Sequence, residues 1–367
     1  FERFLEVRSG NNWTPPFHIP LSYSGWNVDN GGGGAGSLGT VKKFDSPDGS
    51  RSVAVKRFST PFQTRDRAQL ILRELNLLRT INHENIVHLI ECYTVENGPT
   101  DMESIYHITD YCGEPLRRKI DAGQYSMDHA KKWTRELLRA VQHLHSNGVI
   151  HRNLQPDNIC IDSCNKLTLI GFGNARTIDR RANMTALRGT QPYTSIEQLV
   201  DWRGAYDEKV DIWSVSAILC ELITGQPFFI SENQSATSLK VQIEFCGQIG
   251  QAVLNRIANE ADRQNLDVYS RRYERKDFIA ILRSRMLFNR SIGDVDILAN
   301  EDSLRDFIEH TLQFDPDCRM PADRALPHSF LRTTAPWELV LPPNDDEALA
   351  ALRQHIWREI TEPTVRR

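Results

Sequence analysis

Between residues 31 and 60, short apolar runs alternate with turn formers. The pattern predicts a glycine-rich turn leading into a strand from Gly34 to Phe44, a turn at Ser46-Pro47-Asp48-Gly49, and a second strand from Ser52 to Phe58. From Arg65 to Thr80 the period changes. Leu70, Ile71, Leu75 and Leu78 recur at helical spacing, which predicts an amphipathic helix. Strands are expected again at Ile86–Tyr93 and Ile105–Thr109. After a turn at Cys112-Gly113, helical patterns take over at 130–146, 211–224, 238–246 and 303–314. The switch from strand to helix places a boundary near residue 112. Pro15-Pro16 and Pro342-Pro343 predict extended segments over the surface.

Composition narrows the class without naming it. The 367 residues are enough for a large core, and 40% apolar with 25% charged residues is an ordinary globular balance. The 44 basic against 48 acidic residues leave a net charge of −4, which argues against nucleic acid or an anionic membrane as the main partner. Seven cysteines without a CxxC pair point to reduced thiols, with neither a disulfide scaffold nor a structural metal, and a cytoplasmic or nuclear setting. The most apolar stretch, Val215 to Ile223, is interrupted by Ser216 and Glu221 and is too short to span a bilayer.

Three motifs carry candidate chemistry. Gly34-Ala35-Gly36-Ser37-Leu38-Gly39-Thr40-Val41 reads G-x-G-x-x-G-x-V, a turn whose bare backbone lets N–H groups approach phosphates. Alone it is as well explained by a plain hairpin. It gains weight from Val53-Ala54-Val55-Lys56, a strand whose lysine can reach α- and β-phosphates, and from Glu74 on the following helix, spaced to pair with that lysine. His151-Arg152-Asn153-Leu154-Gln155-Pro156-Asp157-Asn158 resembles the kinase catalytic loop H-R-D-x-x-x-x-N. Gly171-Phe172-Gly173 stands where that family has D-F-G, and Ser195-Ile196-Glu197 where it has A-P-E.

On these motifs, over roughly residues 25 to 330, the sequence resembles the protein kinases. Three segments look like the MAP kinases, particularly their stress-activated branch: Lys56-Arg57-Phe58-Ser59-Thr60-Pro61-Phe62-Gln63, Arg73-Glu74-Leu75-Asn76-Leu77-Leu78, and Phe314-Asp315-Pro316-Asp317-Cys318-Arg319. The resemblance implies a bilobal α+β kinase fold, with a β-rich N-lobe holding one main helix and a mostly helical C-lobe. Residues 1–24 are then an extension packing on the lobes, 25–112 the N-lobe, 113–330 the C-lobe with a MAP-kinase-type insert at about 225–303, and 331–367 an extension returning to the N-lobe. It assigns nucleotide binding to Gly34, Gly36, Gly39, Val41, Ala54, Lys56, Glu74, Asp110, Cys112 and Asn158. Thr109 is the gatekeeper, and Cys112 beside it is expected to be buried and inert. Glu197 and Arg319 match an anchoring ion pair. Asp211 matches the residue holding the catalytic-loop backbone, and Leu78, Leu89, His151 and Phe172 match the stack that ties the lobes together.

The departures decide the functional expectation. Asn153 replaces the catalytic-loop aspartate, and a carboxamide offers no basic oxygen. General-base catalysis contributes roughly 10²–10⁴-fold, so that change alone leaves room for a slow enzyme. Gly171 removes the metal-binding aspartate, and Gln155 replaces a lysine near the γ-phosphate, leaving Asn158 as a weak metal ligand. No catalytic residue is intact. ATP binding stays possible, with Mg²⁺ held weakly or not required.

In the activation segment Thr185 keeps a phosphorylatable hydroxyl, while Leu187 replaces the tyrosine of the T-x-Y pair and Gln191 and Thr194 replace its arginine receptors. Arg73, Arg152 and Arg176 either receive a phosphothreonine or brace the loop through carbonyls and carboxylates. The acidic docking patch is depleted in Thr333-Thr334-Ala335-Pro336-Trp337-Glu338 and at Asp162-Ser163-Cys164. Three readings follow: a MAP-kinase-like pseudokinase acting as scaffold or allosteric partner of other kinases and scaffold proteins in a cascade; a severely impaired Ser/Thr kinase that recruits Asp157; and a relic of the fold that binds no nucleotide.

Overall fold

The computed structural model describes residues 4–7, 17–36, 38–96, 102–178, 191–203, 206–230, 238–286, 292, 296–297 and 299–332. A short hairpin, β1 (Phe4–Val7) and β2 (Phe17–Pro20), precedes a five-stranded antiparallel sheet. Its strands are β3 (Asn27–Gly36), β4 (Gly39–Asp45), β5 (Ser52–Ser59), β6 (Leu89–Tyr93) and β7 (Ser104–Asp110), in the order β3-β4-β5-β7-β6. One face buries Phe44, Val53, Val55, Tyr106 and Ile108 beneath β2, whose Phe17 and Ile19 complete the cluster. The hairpin is fastened by Tyr93, whose hydroxyl donates to His18 O at 2.8 Å and whose ring stacks on Tyr106.

The sequence pattern put a glycine-rich run from Gly31 in a turn leading into one strand from Gly34 to Phe44. The structure instead pairs this run with β4, Gly34 opposite Val41 and Gly36 opposite Gly39, with a bulge between Asp29 and Gly33. Backbone ladder bonds need no side chains, so apolar periodicity could not reveal this strand. The strand expected from Ile86 begins only at Leu89, because Ile86 makes a lone parallel bridge to Leu169 on the other lobe.

The other face of the sheet carries α1 (Arg65–Thr80). Thr64 starts it by accepting the Arg67 N–H on its hydroxyl, and Ile71, Glu74, Leu75 and Leu78 turn inward. After the hinge come α2 (Leu116–Ala122), α3 (Met127–Ser146), α4 (Ile196–Leu199) and α5 (Lys209–Thr224), and within the insert range α6 (Ser238–Cys246), α7 (Gln251–Asn255), α8 (Glu260–Ser270) and α9 (Phe278–Arg285). Helix α5 is buried from Val210 to Thr224 and forms the axis of the helical lobe. A helix buried all round belongs in a core, which explains why apolar residues occur on every side of it. Gly113, at φ +92°, lets the hinge press against the strand Ile159–Ile161; a Cβ there would stand 2.6 Å from Asp162 Cα.

The core of the helical lobe is anchored by one buried ion pair. Arg319 Nη1 donates to Glu197 Oε1 at 2.7 Å, and its guanidinium also reaches Gln313 O and Lys209 O. Among the described residues no helix is long and apolar enough to cross a membrane.

Candidate functional site

The upper wall of the cleft is built by β5 and α1. Lys56 Nζ donates to both oxygens of Glu74, at 2.6 and 2.9 Å, and lies 4.5 Å over the ring of Phe58. Burial pushes the Glu74 carboxyl up, but the Lys56 charge, then the neighbouring His107 and the hydrogen bond, outweigh it and hold the group below its ordinary range. The pair expected from spacing is therefore formed and ionised. Gly39 lies so close to β5 that a Cβ would stand 2.9 Å from the Arg57 carbonyl carbon. Leu38, at the turn, reaches down to Gly173 of the Phe172–Asn174 turn and packs with Phe58, Ile71 and Leu75.

The lower wall hangs from Asp211, at the start of α5. Its carboxylate accepts the backbone N–H groups of His151 at 2.9 Å and Arg152 at 2.8 Å, and the His145 ring at 3.0 Å. Held this way, Arg152 adopts φ +66°, a left-handed conformation that costs an L-residue roughly 1–2 kcal/mol. The His151 ring sits edge-on to Phe172, 5.1 Å between centroids, and Leu78 belongs to the same core cluster. Leu89 packs against that cluster from the small lobe.

The positions that depart from the kinase pattern come together here. Asn158 Nδ2 donates to Asn153 O at 2.8 Å, folding the carboxamide back on its own loop. Gly171 has φ +80°, and a Cβ on it would stand 2.6 Å from Asn158 Cγ. The space a side chain at 171 would enter is filled by Asn158, so the residues present do not fit a Mg²⁺ held in the usual way. Asp157 is exposed and its Oδ2 lies 3.9 Å from Arg117 Nε. Gln155 accepts the Asn158 N–H on its backbone oxygen.

The residues expected to face adenine lie on β7 and the segment that follows it. Thr109 is buried on β7 opposite Ala54 and Leu89. Asp110 turns its carboxylate outward to Arg51 at 3.2 Å and His88 at 3.6 Å. Cys112, expected to be buried, is half-buried; its thiol donates to Asp110 O at 3.3 Å and is pushed up to about 11 by desolvation.

Arg152 braces the loop through Nε to Asn174 O at 2.7 Å and Nη1 to the Tyr206 hydroxyl at 3.1 Å. Burial lowers its affinity for a proton, the Tyr206 hydroxyl raises it, and Arg176 and Arg73 lower it further. Thr185, Leu187, the side chain of Gln191 and residues 333–338 lie outside the described residues. The second acidic spot is engaged locally: Asp162 Oδ1 accepts the N–H groups of Cys164 and Lys166, and Lys132 Nζ donates to Asn165 O at 2.7 Å.

The sequence of the Protein kinase domain family matches residues 32–331. Mitogen-activated protein kinase pmk-1 of Caenorhabditis elegans is 30% identical over 340 residues, covering 90% of this chain and 84% of that protein. Mitogen-activated protein kinase 14 of Xenopus laevis is 31% identical over 298 residues, covering 81% and 77%. This chain belongs to the MAP kinase family. Within that family frame, the sequence reading missed two features of the site. Arg117 pairs with the buried Glu221 and donates to the Tyr193 hydroxyl at 2.6 Å, a long-range network without a local signal. His107, beside Lys56 on the inner face of β7, could have been found from the period-two alternation of Ile105, His107 and Thr109.

His107 is fully buried, and its ring lies 5.1 Å from Phe58. Burial drops it from an ordinary 6.5 to about 4. The unfolded chain therefore takes up a proton below 6.5 that the folded chain refuses until about 4. Stability from the neutral ring is complete above that window and drains as pH falls through it, by up to about 3 kcal/mol. His107→Leu is expected to remove that part of the slope in urea unfolding at pH 7 against pH 4.5. An unchanged slope contradicts the assignment.

Proposed function

We propose that this MAP-kinase-family chain works as a scaffold or allosteric partner in a kinase cascade, cytoplasmic or nuclear, and not as a phosphoryl-transfer catalyst. It holds an adenine nucleotide weakly and without need of Mg²⁺. The observation that carries this reading is the packing of the Asn158 carboxamide against Gly171, with its amide committed to Asn153 O. A catalytic metal needs oxygen ligands in fixed places, and here the one neutral amide that remains is turned to another task. Lys56 and Glu74 stay paired, so the nucleotide-facing charge is kept while the base and the metal ligand are gone.

The rival, a slow Ser/Thr kinase, would have to recruit Asp157, an exposed carboxylate whose nearest cation is the Arg117 guanidinium at 3.9 Å. Phosphate transfer to a protein substrate decides between them. Wild type is expected far below the ~1–100 s⁻¹ typical of kinases. Asn153→Asp alone should change little; Asn153→Asp with Gly171→Asp should exceed the sum of the single effects, because the groups act as a unit. The Gly171→Asp variants should also melt earlier, since an aspartate there takes a left-handed backbone and displaces Asn158. Wild-type turnover in the usual kinase range overturns the reading.

Regulation is proposed to survive in part. A phosphate on Thr185 would be received by Arg73, Arg152 and Arg176, and order the segment through charge-assisted hydrogen bonds without switching on chemistry. Limited proteolysis between residues 180 and 195 should slow on phosphorylation. Equal cleavage of both forms assigns the arginines to bracing alone.

A further inference from the structure

The glycine-rich turn does not stand clear of the cleft. Arg67, in the first turn of α1, donates one guanidinium nitrogen to Leu38 O at 2.7 Å and to Ser59 O at 2.9 Å. This ties the β3–β4 turn to the end of β5 and to the helix. The Leu38 side chain then packs among Phe58, Ile71 and Leu75. A Cβ on Gly173 would stand 2.7 Å from Leu38 Cδ1 and 3.4 Å from Glu74 Oε2, so Leu38 lies in the gap between the turn, the Phe172–Asn174 segment and the ion pair.

That gap is where Lys56 would have to meet a phosphate. Its ammonium is bonded to both Glu74 oxygens and covered on another side by Phe58, itself in contact with the Leu38 cluster. A phosphate entering there would lie against the Leu38 side chain, an apolar neighbour that offers it no hydrogen bond. Thr109, Ala54 and Cys112, at the adenine end, are not part of this cluster.

We propose that Leu38 and Arg67 latch the glycine-rich turn onto α1, leaving a cleft that accepts an adenine nucleoside as it stands and admits the phosphates of ATP only when the latch opens. The inference deepens the proposed nucleotide binding and rests on it. Leu38 is then a specificity-determining residue, and ATP binds more weakly than its phosphate charges would suggest because opening the latch breaks a charge-assisted hydrogen bond and uncovers apolar surface.

The test is calorimetric titration of adenosine and of ATP, both in EDTA, into wild type, Arg67→Ala and Leu38→Ala. Leu38→Ala leaves the α1 hydrogen bonds untouched should Arg67→Ala fold poorly. Wild type should bind adenosine at least as tightly as ATP, and each variant should gain about tenfold for ATP with adenosine unchanged. If ATP and adenosine shift together, or if ATP affinity is unmoved in both variants, the latch is wrong while metal-free nucleotide binding stands. If no protein of the three binds either ligand, the latch and the nucleotide part of the proposed function fall together.

Discussion

The Asp211 carboxylate is the constraint on which the lower half of the cleft depends. It is fully buried at the head of α5, and burial alone would push its proton affinity up. His145 and the two backbone N–H groups of the catalytic loop outweigh that and keep it ionised. An ionised carboxylate in such a place is stable only while those donors stay aimed at it, so the loop from His151 to Asn158 is fixed whether or not it catalyses anything. Arg152 is held in its left-handed conformation by the same grip, and Asn153, Asn158 and Gly171 inherit their positions from it. The kinase scaffold is therefore maintained by interactions separable from its chemistry.

That separation explains how a site can keep its shape with altered charge. A kinase cleft with two aspartates repels a triphosphate until metal neutralises them, whereas here Asn153 and Gly171 carry no charge and Lys56 keeps its own beside Glu74. The field facing the phosphates is less negative without metal than an intact site would be. Against this favourable field stands Leu38, packed at the phosphate end. In this account the balance between them sets how tightly a nucleotide is held, and Arg67 is the residue through which the balance can be moved.

Much of this was legible in the sequence because helical periodicity and motif spacing are local. Helix α1 lies at Arg65–Thr80 as the pattern of Leu70, Ile71, Leu75 and Leu78 predicts, and Lys56 meets Glu74 as their spacing demands. The extent of the glycine strand was not legible, since Gly31 to Gly36 offer only the Ala35 methyl for a period to be read from. Nor was the role of Asn158: the sequence shows a retained metal ligand, and only the fold shows its carboxamide folded onto Asn153 O and against Gly171. Leu38 reads as an ordinary loop residue until Arg67, far along the chain, is found holding its carbonyl. Arg117 and Glu221 likewise meet only because α2 crosses α5.

The central claim is that loss of the two carboxylates leaves a nucleotide site that no longer depends on a divalent cation. Calorimetric titration of ATP into the wild-type chain, first in EDTA and then in excess Mg²⁺, tests it most directly. The account predicts nearly the same affinity in both. Binding that emerges only when Mg²⁺ is added would contradict it and make the site a metal-dependent one.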